Sequence, residues 1–177
     1  ATTSSSYDLG YITLKDRPNG EYKKIALIAQ RMAADGPCLI YSNGAAEAEK
    51  IADLLYNTLD TETYDEQIQE LISLVRQTIH PKYTLATVLE KRIAFHYGNM
   101  PLLIRSEIER LFSEGVIRYL ICTSTLLEGV NLPAKSIIIR NPRRGRSNPL
   151  NANDFWNLAG RAGRWGCLLY TSPSPRD

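Results

Sequence analysis

Two arginines alternate with two glycines near the end of the 177-residue chain, in the stretch DFWNLAGRAGRWG at residues 154–166. The stretch predicts a helix on which Asn157, Arg161 and Arg164 share one face, because they are spaced i, i+4 and i+7. Glycine inside a helix costs about 1 kcal/mol relative to alanine, so the two glycines need a reason. Guanidinium groups pair with phosphate oxygens and stay charged, and a missing Cβ lets a ligand come close. The pattern therefore suits a phosphate-bearing ligand; a helix packed through its glycines, with solvated arginines, is the alternative.

A second polar stretch follows the strongest apolar run, VIRYLIC at residues 116–122. Thr123, Ser124 and Thr125 come directly after it, and Gly129 and Asn131 follow closely. Ligands of open α/β sheets bind at the carboxyl ends of the strands, where hydroxyls can bind phosphate oxygens without reading base sequence. The alternative is a hydroxyl-capped helix entry, which is a common local use of Ser and Thr.

Charge is distributed unevenly along the chain, although the formal net charge is only +2. Residues 51–75 hold six acids and no base, whereas residues 129–153 hold five bases and no acid. The second range includes the loop RNPRRGRSNP, with Arg143 and Arg144, which predicts a surface that attracts anions. Two solvated faces without a binding role are the alternative.

Helical and strand patterns alternate along the chain. A helix after Asn43, with Asn43 as its cap, and a helix opened by Pro101 and closed by Gly115 are predicted. Apolar spacing predicts further helices at residues 22–34, 64–79 and 83–91. Strands are predicted at residues 38–41, 92–96, 116–122 and 136–139. These strand runs are continuously apolar, which favours an α/β fold with a mainly parallel sheet and helices on both faces.

Four stretches in order resemble the C-terminal motor lobe of superfamily 2 DEAD/DExH-box helicases. NLAGRAGR is similar to motif VI of that family, and CTSTLLEGVNLPAKSIII is similar to motif V of its Ski-like branch. CLIYSNGAAEAEKIADLL resembles motif IV, and IAFHYGNMPLLIRSEIERLF resembles motif IVa. The resemblance covers about residues 33–166 and implies a RecA-like three-layer domain.

The resemblance implies two sets of site residues. Toward ATP bound on a separate N-terminal RecA-like lobe it implies Gly129, Asn131, Asn157, Gly160, Arg161 and Arg164, the last two as catalytic arginine fingers. Toward the backbone of DNA or RNA, without sequence specificity, it implies Thr123, Ser124, Thr125, His96, Gly98 and Arg105. Because the basic loop joins motifs V and VI, we add Arg143 and Arg144 as phosphate-contact or strand-separating residues. Asn157 stands where the family usually has Gln, which shortens the reach of its amide.

The chain lacks a phosphate loop of the form GxxxxGK[ST]. DEQI at residues 65–68 mimics a DExx box, but helical periodicity runs through it, so we interpret it as part of a helix. We therefore expect one lobe of an ATP-dependent helicase that is inactive alone, with Mg²⁺ held by the missing lobe and no metal site here. A non-catalytic nucleic-acid-binding module and a duplex translocase without unwinding activity are the alternatives.

Three segments are expected: a lead-in at residues 1–21, the helicase C-terminal domain at 22–166, truncated at its end, and a tail at 167–177. The tail, CLLYTSPSPRD, resembles a translated transposase adapter and would then be non-native; a natural Ser/Pro-rich tail is the alternative. The first residue is not Met, which is typical of a piece of a longer protein. Widely spaced cysteines, no membrane-length apolar run and no signal-peptide pattern indicate a cytoplasmic protein that does not bind membranes.

Overall fold

The computed structural model describes most of the chain: residues 19–60, 64–124, 132–139, 142–144, 148–149, 153 and 168–171. The helices are α1 (Glu21–Met32), α2 (Ala45–Thr58), α3 (Glu66–Thr78), α4 (Thr84–Val88) and α5 (Leu102–Ser113), with a 3₁₀ turn at Leu89–Lys91. The strands are β1 (Cys38–Tyr41), β2 (Ile93–His96), β3 (Tyr119–Cys122), β4 (Ser136–Ile139), β5 (Arg143–Arg144), β6 (Asn148–Pro149) and β7 (Leu168–Thr171).

Five of these strands form one sheet in the order β2-β3-β1-β4-β7, and every neighbouring pair is parallel. Tyr41 at the end of β1 and His96 at the end of β2 both lie opposite Cys122 of β3. The carboxyl ends of these three strands are therefore level with one another. The predicted α/β fold with a mainly parallel, RecA-like sheet is confirmed. The remaining strands, β5 and β6, form an antiparallel pair.

Burial explains why the strand runs are continuously apolar. Every residue of β1, β2, β3 and β4 is buried, so side chains on both faces of these strands are covered. Helices α1 and α2 pack against each other, and α5 packs against β2 and α3. Within the described residues, none of the helices combines the length and the hydropathy that crossing a bilayer requires.

The start of α2 differs from the prediction that Asn43 caps it. The N-cap is Gly44 in an extended conformation, and no side chain caps the helix. The amide oxygen of Asn43 instead accepts the backbone N–H of Arg143, while its own N–H donates to the Glu47 carboxylate. A tertiary partner thus takes the oxygen that a local cap would use.

Asp65 caps helix α3, a role that was not predicted from the sequence. Asp65 accepts hydrogen bonds from the backbone N–H groups of Gln67 and Ile68, and the helix starts at Glu66. The DEQI stretch therefore lies at the start of a helix, as its periodicity predicts, and is not a DExx box at the end of a strand. Pro101 and Gly115 also bound α5 as predicted; Gly115 has a φ of 76°, in the left-handed region that favours glycine.

Apart from a one-residue shift at the start of β2, one strand boundary differs from the sequence prediction, and β7 was not predicted as a strand. The strand predicted from Val116 starts at Tyr119, because the N–H groups of Val116 and Ile117 bond back to the Leu111 carbonyl at 2.9 and 3.1 Å. Leu168–Thr171, expected to lie outside the domain, pair with β4 as strand β7. The apolar LLYT run thus forms the edge strand of the sheet, next to β4.

Candidate nucleic-acid interface

Three loops that contain polar residues or glycine start at the carboxyl edge of the sheet. They follow β1, β2 and β3, which are adjacent in the order β2-β3-β1. Because the three strands end level, Ser42, Tyr97 and Thr123 begin these loops side by side. The described residues that follow these strands in motifs IV, IVa and V therefore lie at one edge, where parallel sheets bind their ligands.

The end of β3 is held by both neighbouring strands. The Cys122 carbonyl accepts the Ser42 backbone N–H at 2.8 Å and the Ser42 hydroxyl at 3.2 Å. On the other side, the Thr123 N–H donates to the His96 carbonyl at 3.3 Å. Thr123 is 8% exposed and Ser124 is half-buried, so Ser124 is the more accessible of the two hydroxyls. Thr125, Gly129 and Asn131 lie outside the described residues.

A tight turn follows β2. The Met100 N–H donates to the Tyr97 carbonyl at 3.2 Å, which places Gly98 and Asn99 at the exposed tip of the turn. Exposed backbone at such a tip suits contact with phosphate or sugar groups. Contact by Gly98 with a nucleic acid stays a prediction.

His96 is more enclosed than a contact residue. Its side chain is 2% exposed, and Nε2 lies 2.8 Å from Glu109 Oε1. Burial lowers the pKa of His96 below its usual range, although Glu109 opposes this shift. The neutral ring then carries its proton on Nε2 and donates it to the carboxylate, which leaves Nδ1 with no hydrogen-bond partner among the described residues. Contact between His96 and a nucleic acid stays a prediction that would require this pair to open.

Arg105 lies beside this pair, one helical turn before Glu109. Its backbone N–H donates to the Pro101 carbonyl at 3.1 Å, and its side chain is half-buried. The Arg105 charge disfavours protonation of His96 and so adds to the lowering of the His96 pKa. Arg105 Nε is buried and has no hydrogen-bond partner in the part of the chain that the structure describes. Its predicted contact with the nucleic-acid backbone stays a prediction.

A hydrogen-bonded tyrosine pair, which the sequence analysis missed, supports the turn after β2. The Tyr97 hydroxyl donates to Glu49 Oε1 at 2.8 Å and is also hydrogen-bonded to the Tyr83 hydroxyl. The Phe95 ring stacks on Tyr97 with centroids 5.9 Å apart. Burial raises the pKa of both tyrosines. The sequence contains one signal for this arrangement: Phe95 and Tyr97 are spaced i, i+2, which puts their two aromatic rings on the same side of the strand.

Arg143 of the basic loop lies over the carboxyl end of β1. The Arg143 N–H donates to Asn43 Oδ1 at 2.7 Å, and the Arg143 carbonyl accepts the Tyr41 hydroxyl at 2.8 Å. Arg143 is exposed and pairs with Pro149, and Arg144 pairs with Asn148. We call these four residues the β5–β6 ribbon. The ribbon thus lies beside the loop after β1, and the phosphate-contact or strand-separating role of Arg143 and Arg144 stays a prediction.

The nucleotide-facing half of the predicted site lies outside the described residues. This applies to Asn157, Gly160, Arg161 and Arg164, whose contacts with ATP stay predictions. Within the described residues, no group of three His, Cys, Asp or Glu side chains is placed to hold a metal ion.

Three relatives and a family model match the chain. It is 28% identical over 148 residues to the ATP-dependent DNA helicase Hel308 of Methanocella arvoryzae, covering 78% of the chain and 20% of that protein. It is 26% identical over 181 aligned positions to Hel308 of Methanococcus vannielii, covering 92% and 24%. It is 38% identical over 103 residues to the Hachiman protein HamB of Bacillus cereus, covering 58% and 8%. The chain thus spans less than a quarter of the length of each of these relatives. The model of the helicase conserved C-terminal domain matches residues 23–166, and together with the parallel RecA-like sheet this shows that the chain belongs to that family, the C-terminal lobe of superfamily 2 helicases.

Proposed function

We propose that this chain is the second motor lobe of an ATP-dependent nucleic-acid helicase and that its carboxyl sheet edge grips the backbone of one strand. The observation that carries the proposal is the meeting of the loops after β1, β2 and β3 at one edge, in a chain of this family. The motif V stretch supports assignment to the Ski-like branch. The reduced, widely spaced cysteines favour a cytoplasmic protein.

The grip at this edge would rest on hydroxyls, backbone amides and cations. Thr123, Ser124 and Thr125 would bind phosphate oxygens of the bound strand, next to the exposed turn at Gly98. Arg105, Arg143 and Arg144 would add positive charge, and His96 would hold the base of the turn. Such contacts position a strand without reading its bases, so binding would be insensitive to sequence and sensitive to salt. Two of the relatives are named DNA helicases, which favours DNA over RNA.

The ATP site would be shared between this lobe and an N-terminal lobe of the same protein. From this side Gly129, Asn131, Asn157 and Gly160 would line the nucleotide, and the N-terminal lobe would supply the phosphate loop and hold Mg²⁺. The lobes would close when ATP binds between them and reopen after its hydrolysis, which would step the grip along the strand. Arg161 and Arg164 would face the transferring phosphoryl group, and an arginine in this position contributes ~10³ to 10⁵ in rate. The chain by itself would not hydrolyse ATP.

The test replaces the two arginines in the longer protein that contains this chain. We expect Arg161→Ala and Arg164→Ala each to reduce ATP turnover by about 10³ or more, with nucleic-acid affinity within a few-fold of the wild type. Arg31→Ala, at an exposed position in the last turn of α1, is the matched control and should leave turnover unchanged. Wild-type turnover in both site variants would contradict the proposal.

Two further measurements separate the alternatives. A gene that does not extend upstream into a phosphate loop and a DExH segment would favour a non-catalytic nucleic-acid-binding module. A longer protein that hydrolyses ATP on nucleic acid but does not separate a tailed duplex would be a duplex translocase. Strand separation of tailed DNA and RNA duplexes, measured side by side, also decides between the two nucleic acids.

A further inference from the structure

We infer that Tyr41 and Asn43 are positioning residues that hold the β5–β6 ribbon at a fixed distance from the hydroxyls after β3. The inference rests on the proposed function, because it gives the ribbon a task at the same edge. Tyr41 and Asn43 bind the carbonyl and the N–H of one ribbon residue, Arg143, at 2.8 and 2.7 Å. The carbonyl and the N–H of Arg143 are thus hydrogen-bonded to the last residue of β1 and to the loop that follows it.

The composition of the ribbon explains why it needs these partners. Arg143 lies opposite Pro149, which has no backbone N–H and cannot donate to the Arg143 carbonyl. The Tyr41 hydroxyl provides the missing donor from outside the ribbon. A pair of two-residue strands has little stability of its own, so its position depends on such external hydrogen bonds.

Both positioning residues are themselves held by regular structure. Tyr41 is the last residue of the central strand β1 and is 3% exposed, so its ring is fixed in the core. The Asn43 N–H donates to the Glu47 carboxylate at 2.6 Å, in the first turn of α2. The ribbon is therefore attached to β1 and α2 through groups that have little freedom to move.

Ser42 lies between these two residues and forms its hydrogen bonds with β3 rather than with the ribbon. Its N–H and hydroxyl both reach the Cys122 carbonyl, directly before Thr123. Three consecutive residues, Tyr41, Ser42 and Asn43, thus connect the basic ribbon to the end of β3. This arrangement fixes where the backbone of Arg143 lies relative to the hydroxyls that would grip the strand.

The first test measures amide hydrogen exchange at Arg143 in this chain. Tyr41→Phe removes one donor and keeps the ring, and Asn43→Leu removes the acceptor and keeps a similar shape. Asn43→Leu removes the acceptor of the Arg143 N–H itself, whereas Tyr41→Phe frees the Arg143 carbonyl and acts by loosening the attachment of the ribbon. We expect each to speed exchange of the Arg143 N–H by about fivefold to tenfold, the size of effect that one lost hydrogen bond has. Asn43→Asp keeps an acceptor oxygen and should restore slow exchange. The controls are Tyr64→Phe, at a residue 83% exposed, and Asn57→Leu, at an exposed position in α2.

The second test compares two activities of the longer protein that contains this chain. Tyr41→Phe and Asn43→Leu should reduce strand separation of a tailed duplex by about fivefold or more, with nucleic-acid-stimulated ATP turnover within about twofold of the wild type. Asn43→Asp should recover strand separation. Unchanged exchange at Arg143 in both variants would overturn the inference, and so would an equal loss of both activities. A wild-type protein with no activity on nucleic acid would instead overturn the proposed function, while the exchange result would still decide whether these residues hold the ribbon.

Discussion

His96 Nε2 lies 2.8 Å from Glu109 Oε1 at the point where β2 ends, in a side chain that is 2% exposed. The hydrogen bond joins the carboxyl end of β2 to α5, which begins just after the turn at Gly98. Since burial lowers the pKa of His96, the ring is neutral at pH 7 and donates to a charged acceptor. This hydrogen bond therefore ties the end of β2, where the turn starts, to the helix that follows the turn.

The lowered pKa of His96 makes stability depend on pH in a defined direction. Between the folded and the unfolded pKa the native state binds fewer protons, so the free energy of unfolding falls as pH drops below about 6.5. One such group contributes a slope of at most about 1.4 kcal/mol per pH unit. Urea unfolding between pH 7.5 and 5 measures it. His96→Gln should remove this component, whereas His80→Gln, at an exposed position, should retain it. Equal slopes in the wild type and His96→Gln would show that this histidine does not carry the effect.

Asp65 should act as a helix cap and have no part in ATP chemistry. Its side chain accepts the N–H groups of Gln67 and Ile68 and lies 3.4 Å from the Arg92 guanidinium. We expect Asp65→Ala to lower the free energy of unfolding by about 0.5–2 kcal/mol, as for other N-caps. Asp60→Ala, at an exposed position, is the control in urea unfolding. In the longer protein, loss of ATP turnover in Asp65→Ala at a temperature where it stays folded would restore the DExx interpretation.

The Tyr97 hydroxyl should stabilise the lobe through its two partners. Tyr97→Phe leaves the Glu49 carboxylate and the Tyr83 hydroxyl without this hydrogen bond and keeps the stacking with Phe95. We expect a loss of about 1–2 kcal/mol in the free energy of unfolding, since the partners stay partly buried. Tyr64→Phe removes a hydroxyl from a residue that is 83% exposed and should change stability little. Equal unfolding midpoints for the two variants would rule out a stabilising role for the hydroxyl.

The fold could be predicted because its signals are local. Runs such as SIII and CLIY are buried on both faces, and Pro101 and Gly115 lie at the two ends of α5, as predicted. The prediction that Asn43 caps α2 was wrong, because its amide oxygen accepts the backbone N–H of Arg143, 100 residues further along the chain. No local propensity can report a partner at that separation.

The candidate site could be predicted in part, because several of its residues directly follow strands that the sequence reveals. The rule that ligands bind at the carboxyl ends of parallel strands brings Thr123, Ser124 and the Gly98 turn to one edge, where the structure has them. The sequence analysis missed Glu109 as the partner of His96. Glu109 lies at i+4 from Arg105, a spacing that puts both on one helical face, but the spacing does not show that the face turns toward β2. The roles of Arg161 and Arg164 stay predictions.

Nucleic-acid binding should depend on the charge of the β5–β6 ribbon. Arg143 is exposed, and its backbone is held beside the loop after β1, so we expect its guanidinium to lie near a strand bound at this edge. In the longer protein we expect Arg143→Ala to weaken binding to the same extent for all sequences and to reduce the slope of log K against log salt by about 1. Lys135→Ala removes the same charge from an exposed residue at the amino end of β4 and is the matched control. Equal salt slopes for Arg143→Ala, Lys135→Ala and the wild type would mean that the bound strand does not pass the ribbon, because neutralising a contacted phosphate must change the number of counterions released.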